Sequence, residues 1–438
     1  MQHSPETYIQ TIRDRNLEDR MKDENQKQKG IAFPAPRNQE NALIVRLDVV
    51  SEELDKVLEG VRKLCTLFEY IDRGIIEMDD KDEEGSMVRA TLSRYNFTAT
   101  IGFAKRFFER FNLLANCPEK LYDMPEHSEL GDPSRYVLPQ TDILLQILSS
   151  SYSINAMVLQ NDSYLRNVEN TLHSYNNFNE SEKNPLDIMG AIEGWAKIID
   201  THIGFHRSDG RNLMGFHDGI SNPDRLTKNG IWISSEDEDG KFVNGTFMVF
   251  QKIEHNLRDW HKLDTQEQED WVGRSKATGL LLGTLSNDQE KKLVQDLESR
   301  DQLIRANAIK RLGKLIDEQR NPKKNFFNSY DTRTWKINRK CPVSSHVRRT
   351  NSRDRIGSVQ NYIFRRGYVY MEDEFTGYPK SGLLFISFQN DIKTFEKIKK
   401  NMTQHPVLPH NASQPTNAKN YSAHQKSPSK SFNTVTLG

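Results

Sequence analysis

Apolar residues fall along this chain in two rhythms: dense aliphatic runs of strand length, and three- and four-residue steps of helical length. The run Ala42-Leu43-Ile44-Val45-Arg46-Leu47-Asp48-Val49-Val50 has the β-branched and aliphatic density of a buried strand. Ser51 follows as a helix cap, and Leu54, Val57, Leu58, Val61, Leu64 and Cys65 then line one apolar face. Strand-like runs come next at 97–103 and 142–149, the second leading into a helix that carries Ile154, Met157, Val158, Tyr164 and Val168. Strand, helix, two strands, helix is a ferredoxin-like order.

The order recurs downstream without obvious sequence identity. Residues 245–250 form a strand candidate, a helix runs from about Thr265 to Leu282, strands follow at 362–370 and 382–388, and a last helix carries Phe395 and Ile398. Each half would have one helix-covered sheet face and one free face, so the free faces must meet or enclose something flat and apolar. The expected fold class is α+β, with two ferredoxin-like halves of antiparallel sheet and peripheral helices. Their expected limits are 30–235 and 236–402.

One block departs from this economy. Residues 286–324 are highly charged, yet Leu293, Leu297, Ile304, Ala308, Leu312 and Leu315 mark a helical stripe, which reads as an added surface helix or helix pair with a solvated face and no direct role in chemistry. The ends, 1–29 and 403–438, are polar and read as a polar N-terminal tail and a disordered C-terminal one.

Composition narrows the function classes. The 438 residues include 61 Lys plus Arg against 61 Asp plus Glu, so no global field favours nucleic acid or an anionic membrane. Cys65, Cys117 and Cys341 form no CxxC pair, which argues against a structural zinc site or a disulfide scaffold and for a reducing compartment. The start of the chain has no apolar leader, and no window approaches a membrane span, so a cytoplasmic location is expected.

Candidate chemistry lies in two runs. In Gly215-Phe216-His217-Asp218-Gly219-Ile220-Ser221-Asn222-Pro223 one acid sits between two glycines; downstream stands Cys341-Pro342-Val343-Ser344-Ser345-His346-Val347-Arg348-Arg349. Taken alone, Asp218-Gly219 is a turn dipeptide and Asn222-Pro223 another, and a lone histidine is a hydrogen-bonded structural residue. Together, the Gly-x-x-Asp-Gly element followed by Asn-Pro and the distant histidine loop resemble the signature of the dye-decolorizing peroxidase family. The resemblance covers about residues 30–402, and the 286–324 block and the missing export signal depart from it.

That resemblance implies a peroxidase with haem b between its halves, reducing hydrogen peroxide and oxidising phenolic, dye-like or other one-electron donors. His346 would be the iron ligand, its ring oriented by an acceptor for which Asp391 is the candidate, although Asp391 also reads as a helix N-cap. Asp218 would move a proton between the two peroxide oxygens, while Gly215 and Gly219 let backbone approach the macrocycle. The reference pKa of an aspartate, ~3.9, would extend activity into acid. Arg365 matches the family's distal arginine and would stabilise the developing negative charge. Asn222 resembles a distal polar residue able to hold peroxide or water, and Arg348 would pair with a propionate. Alternation along the strand would turn Arg366 away from Arg365.

His217, His202 and His206 are not expected in the chemistry. Tyr368, Tyr370, Trp260 and Trp271 are relay candidates for bulky donors, but read first as core aromatics. Expected partners are peroxide and small electron donors, with no nucleic acid and no membrane; a homo-oligomer, and an encapsulating shell reached through the tail Ser431–Gly438, stay open. Two rival readings remain: a haem-binding protein for iron release or carriage, and an interaction module without cofactor.

Overall fold

The computed structural model describes residues 29–32, 39–72, 77–81, 87–91, 96–123, 140–150, 192–220, 222, 230–237, 242–320, 342, 345–350, 363–372, 380–403 and 430–436. The chain divides into two compact units, one of residues 26–118, 140–205 and 434–438, the other of 1–25, 119–139 and 206–433. Asp218 lies in the unit that includes residues 206–433.

In the first unit, β1 (Asn41–Val49), α1 (Leu54–Asp72), β2 (Thr98–Phe103), β3 (Ile143–Ser149) and β4 (Ala196–Phe205) follow in chain order. The strands pair antiparallel in the order β2-β3-β1-β4. Strand β1 is central, and Leu43, Ile44, Val45 and Leu47 have no exposed surface, which is why its sequence is continuously apolar rather than alternating. Arg46 breaks that run and is equally buried; its guanidinium meets Asp200, its register partner on β4. Burial alone would raise the Asp200 carboxyl, but hydrogen bonds from Arg46 and His202 outweigh it and hold it below the usual carboxylate range. The helix expected around Ile154–Val168 lies outside the described residues.

The second unit begins its sheet with β5 (Thr246–Glu254). Helix α2 (Thr265–Val272) opens on a reciprocal capping box between Asp264 and Glu267 and stops at Gly273 with φ 89°. The sequence reading carried this helix to Leu282; the left-handed glycine ends it instead. The charged block forms α3 (Asn287–Leu297) and α4 (Gln302–Arg320). Leu293, Leu297, Ala308, Leu312 and Ile316 are buried in one cluster, while Ile304 is 44% exposed because the break between the helices resets the stripe. Then come α5 (His346–Thr350), β6 (Phe364–Arg365), β7 (Tyr368–Glu372), β8 (Lys380–Gln389) and α6 (Ile392–Thr403). Strand β8 pairs antiparallel with β5, β7 and β6. The architecture is α+β, as expected.

Within the C-terminal segment expected to be disordered, Lys430–Thr436 is a strand whose Val435 and Thr436 stand opposite Phe103 and Gly102. Among the described residues no helix is long and apolar enough to cross a membrane.

Candidate active site

The Asp218 loop is held from outside its own sequence. Gly215 and Gly219 have φ of 88° and 73°, left-handed values that side chains resist. Between them and the preceding strand, the Asn212 side chain accepts from the amides of Met214 (3.0 Å) and Phe216 (3.1 Å). Arg211 Nη1 donates to the carbonyls of Gly215 (2.8 Å) and Lys276 (2.6 Å), and Trp260 Nε1 donates to that of Met214 (3.1 Å). The loop thus delivers Asp218 with Oδ1 accepting from the Gly219 amide at 2.6 Å and the side chain 36% exposed.

Arg365 comes to the same place from β6. Its Nη1 lies 3.8 Å from Asp218 Oδ1. Asn222 Nδ2 donates to the Arg365 carbonyl (2.7 Å), and the Arg365 amide donates to Asn222 Oδ1 (3.1 Å). Arg366 is buried and hydrogen-bonds Tyr368. Gly367 follows, and a Cβ there would stand 3.2 Å from Asp218 Oδ2 and 3.0 Å from Leu383 Cδ1. Bare backbone is what lets the carboxylate sit against this link between β6 and β7.

His346 opens α5. Its imidazole is pushed down to about 4, first by burial and then by the positive charge of Arg365, with Asp218 opposing and Arg274 and Arg349 adding smaller contributions. The ring is therefore neutral at neutral pH, and neither ring nitrogen bonds to a described residue. Besides burial, the groups that set its charge state are the acid, its arginine partner and two other guanidiniums. Arg349 is anchored by Nη1 donating to the Met402 carbonyl at 2.9 Å. The side chain of Arg348 lies outside the described residues.

Of the two readings of Asp391, the structure shows the helix cap. Its Oδ1 accepts from the Lys393 amide at 2.8 Å, and no hydrogen bond joins it to His346. Standing just before α6, the carboxylate meets the orphan amides of the first turn, as a helix cap does. His202 and His217 are buried, while the exposed His206 stacks on Tyr368 at 4.2 Å. Tyr368, Tyr370 and Trp260 are buried. Gly367 and Arg274 went unnoticed in the sequence; a glycine inside a strand signals close backbone approach and could have flagged the first.

Comparison with known proteins identifies the family. A family model described as Dyp-type peroxidase, N-terminal, matches residues 28–167, and one described as Dyp-type peroxidase, C-terminal, matches 209–424. The chain belongs to the DyP-type peroxidase family. A DyP-type peroxidase from Cellulomonas bogoriensis shares the fold at a TM-score of 0.61 and 21% identity, over 94% of this chain and 92% of that one. Ferric DtpA from Streptomyces lividans does so at 0.61 and 20%, over 94% and 91%. A deferrochelatase from Escherichia coli O6:K15:H31 is 23% identical over 382 residues, 84% of this chain and 75% of its own.

The cofactor of DyP-type peroxidases is haem b. The residues present suit it: a neutral imidazole whose ring nitrogens bond to none of the described residues, a carboxylate and a guanidinium both partly exposed, and a bare glycine beside them.

Proposed function

We propose that this chain is a haem b peroxidase in which His346 holds the iron, Asp218 moves the proton and Arg365 stabilises the charge that forms as peroxide is cleaved. Electrons come from phenolic, dye-like or other one-electron donors. The observation that carries the reading is the 3.8 Å approach of Arg365 to Asp218, with the His346 imidazole within the field of both.

Bound haem supplies the iron at which peroxide is reduced and the two oxidising equivalents passed on to donors. The protein does the rest. Ionised Asp218 accepts a proton from peroxide and returns it to the departing oxygen. Arg365 is permanently charged and already in place, so it offsets negative charge on the departing oxygen without reorganising. His346 remains neutral, the form able to donate a nitrogen lone pair. Cys65 and Cys117 are free thiols, which supports a reducing, cytoplasmic setting.

The test is steady-state peroxide turnover with a phenolic donor by wild type, Asp218→Asn and Arg365→Leu, all loaded with haem. We expect each substitution to lower kcat/KM for peroxide by ~10²-fold or more while the haem spectrum persists. A second reading, haem binding for iron release or carriage, draws support from the curated relatives named deferrochelatase. It predicts that release or carriage survives both substitutions.

A further inference from the structure

The charged helix pair α3–α4 reads from sequence as a solvated addition, yet its inner side packs on the acid loop directly and reaches the histidine helix through one intervening loop. Ile220, two residues past Asp218, is buried in the cluster formed by Leu280, Leu293, Leu297, Ala308, Leu312 and Ile316. Between the helix pair and the site lies the tight loop Arg274–Leu281, closed by a bridge between its two ends. On one side Gly279, at φ 70°, presents bare backbone: a Cβ there would fall 2.4 Å from Ile220 Cδ1 and 3.5 Å from His217 Cδ2. On the other side Leu281 packs on Val347, the neighbour of His346.

The helix pair ties this loop down through Glu290 of α3, which accepts from Thr278 Oγ1 at 2.8 Å, and at both ends through Gln319 of α4. Gln319 is only 4% exposed. Its Oε1 accepts from Arg274 Nη1 (3.4 Å) and from the Leu281 amide (3.4 Å), and its Nε2 donates to Thr284 Oγ1 (2.9 Å), which itself donates to the Leu281 carbonyl (2.7 Å). Arg274 Nη1 also reaches the Gly279 carbonyl at 2.7 Å. One amide therefore fixes both ends of a loop whose two faces rest on the acid loop and on the histidine helix.

We propose that Gln319 is a positioning residue, and that the helix pair serves through it to hold the Asp218 loop and the His346 helix in register. The inference rests on the peroxidase reading for its consequence in turnover, but the mechanical coupling stands on the protein alone. In Gln319→Leu a side chain of similar size loses the three hydrogen bonds described; Gln319→Glu keeps acceptors for the two that Oε1 accepts.

The experiment has two arms on the full chain. In the haem-free protein, hydrogen exchange of peptides covering 274–284 and 345–350 should quicken by about tenfold in Gln319→Leu, with β1 and β3 unchanged. In the haem-loaded protein, Gln319→Leu should show an altered ferric spectrum and a kcat lower by about tenfold, with both largely restored in Gln319→Glu. Thr284→Val, a milder change, should move the same observables in the same direction. Quickened exchange at 274–284 alone, with 345–350 and the spectrum as in wild type, would overturn the proposal. Should the wild type take up no haem, the peroxidase reading falls while the exchange arm still decides the coupling.

Discussion

Asn222 and Arg365 exchange two hydrogen bonds, the side-chain amide of one pairing with the main-chain carbonyl and amide of the other at 2.7 and 3.1 Å. The amide stands where the backbone of a neighbouring strand would stand. Both of its polar atoms are engaged on Arg365, which supports a role for Asn222 in setting Arg365 while the second N–H of Nδ2 and the second lone pair of Oδ1 are left for a small ligand.

Replacing Asn222 with Ala should therefore act through Arg365. Loss of the two bonds is worth about 1–3 kcal/mol in local stability. We expect kcat/KM for peroxide to fall about 10- to 100-fold with KM for the donor unchanged. Stopped-flow reaction with peroxide checks this, and an unaltered rate would remove Asn222 from the account.

Gly367 offers a finer probe of the acid. Its φ is not among the left-handed values, so Gly367→Ala strains no backbone, but the new methyl would crowd Asp218 Oδ2 at 3.2 Å and Leu383 Cδ1 at 3.0 Å. Overpacking of this kind costs about 1–3 kcal/mol. Peroxide turnover should drop by about tenfold while the haem spectrum stays close to wild type. A variant as active as the parent would show that the carboxylate does not work from this position.

The His346 environment also fixes a pH dependence. An unfolded imidazole protonates near 6.5, whereas the folded one, pushed down chiefly by burial, waits until about 4. Between those values the unfolded chain binds more protons, so stability falls as pH falls, by at most about 3 kcal/mol, and this group contributes no slope above that window. Urea unfolding of haem-free wild type and His346→Phe at about pH 7 and about pH 4.5 measures it. Wild type should lose more stability than the variant; equal losses would mean that the ring is not shielded.

Much of this was legible in the chain. Strand β1 announced itself because both its faces are covered, so Ala42 to Leu47 reads apolar without alternation except at Arg46. The acid, the arginine and the histidine were visible as motif residues, and the structure brings Asp218 and Arg365 together. What stayed hidden were side chains whose polarity disguises a buried place. Gln319 reads as one more polar residue on a charged helix, yet it is enclosed because the break before α4 turns that face inward. Asp391 offered two readings, and an orphan first-turn amide is a nearer partner than an imidazole on another helix. Asn222 reads as a turn because nothing local reveals a partner 143 positions away.

The central claim is that one imidazole, at His346, holds the iron beneath the Asp218–Arg365 pair. The most direct measurement is the ferric absorption spectrum and peroxide turnover of haem-loaded His346→Ala beside wild type. The account predicts loss of the wild-type Soret band and of turnover, with the spectrum partly restored by added imidazole. A variant that keeps both the spectrum and the turnover of the parent would contradict it.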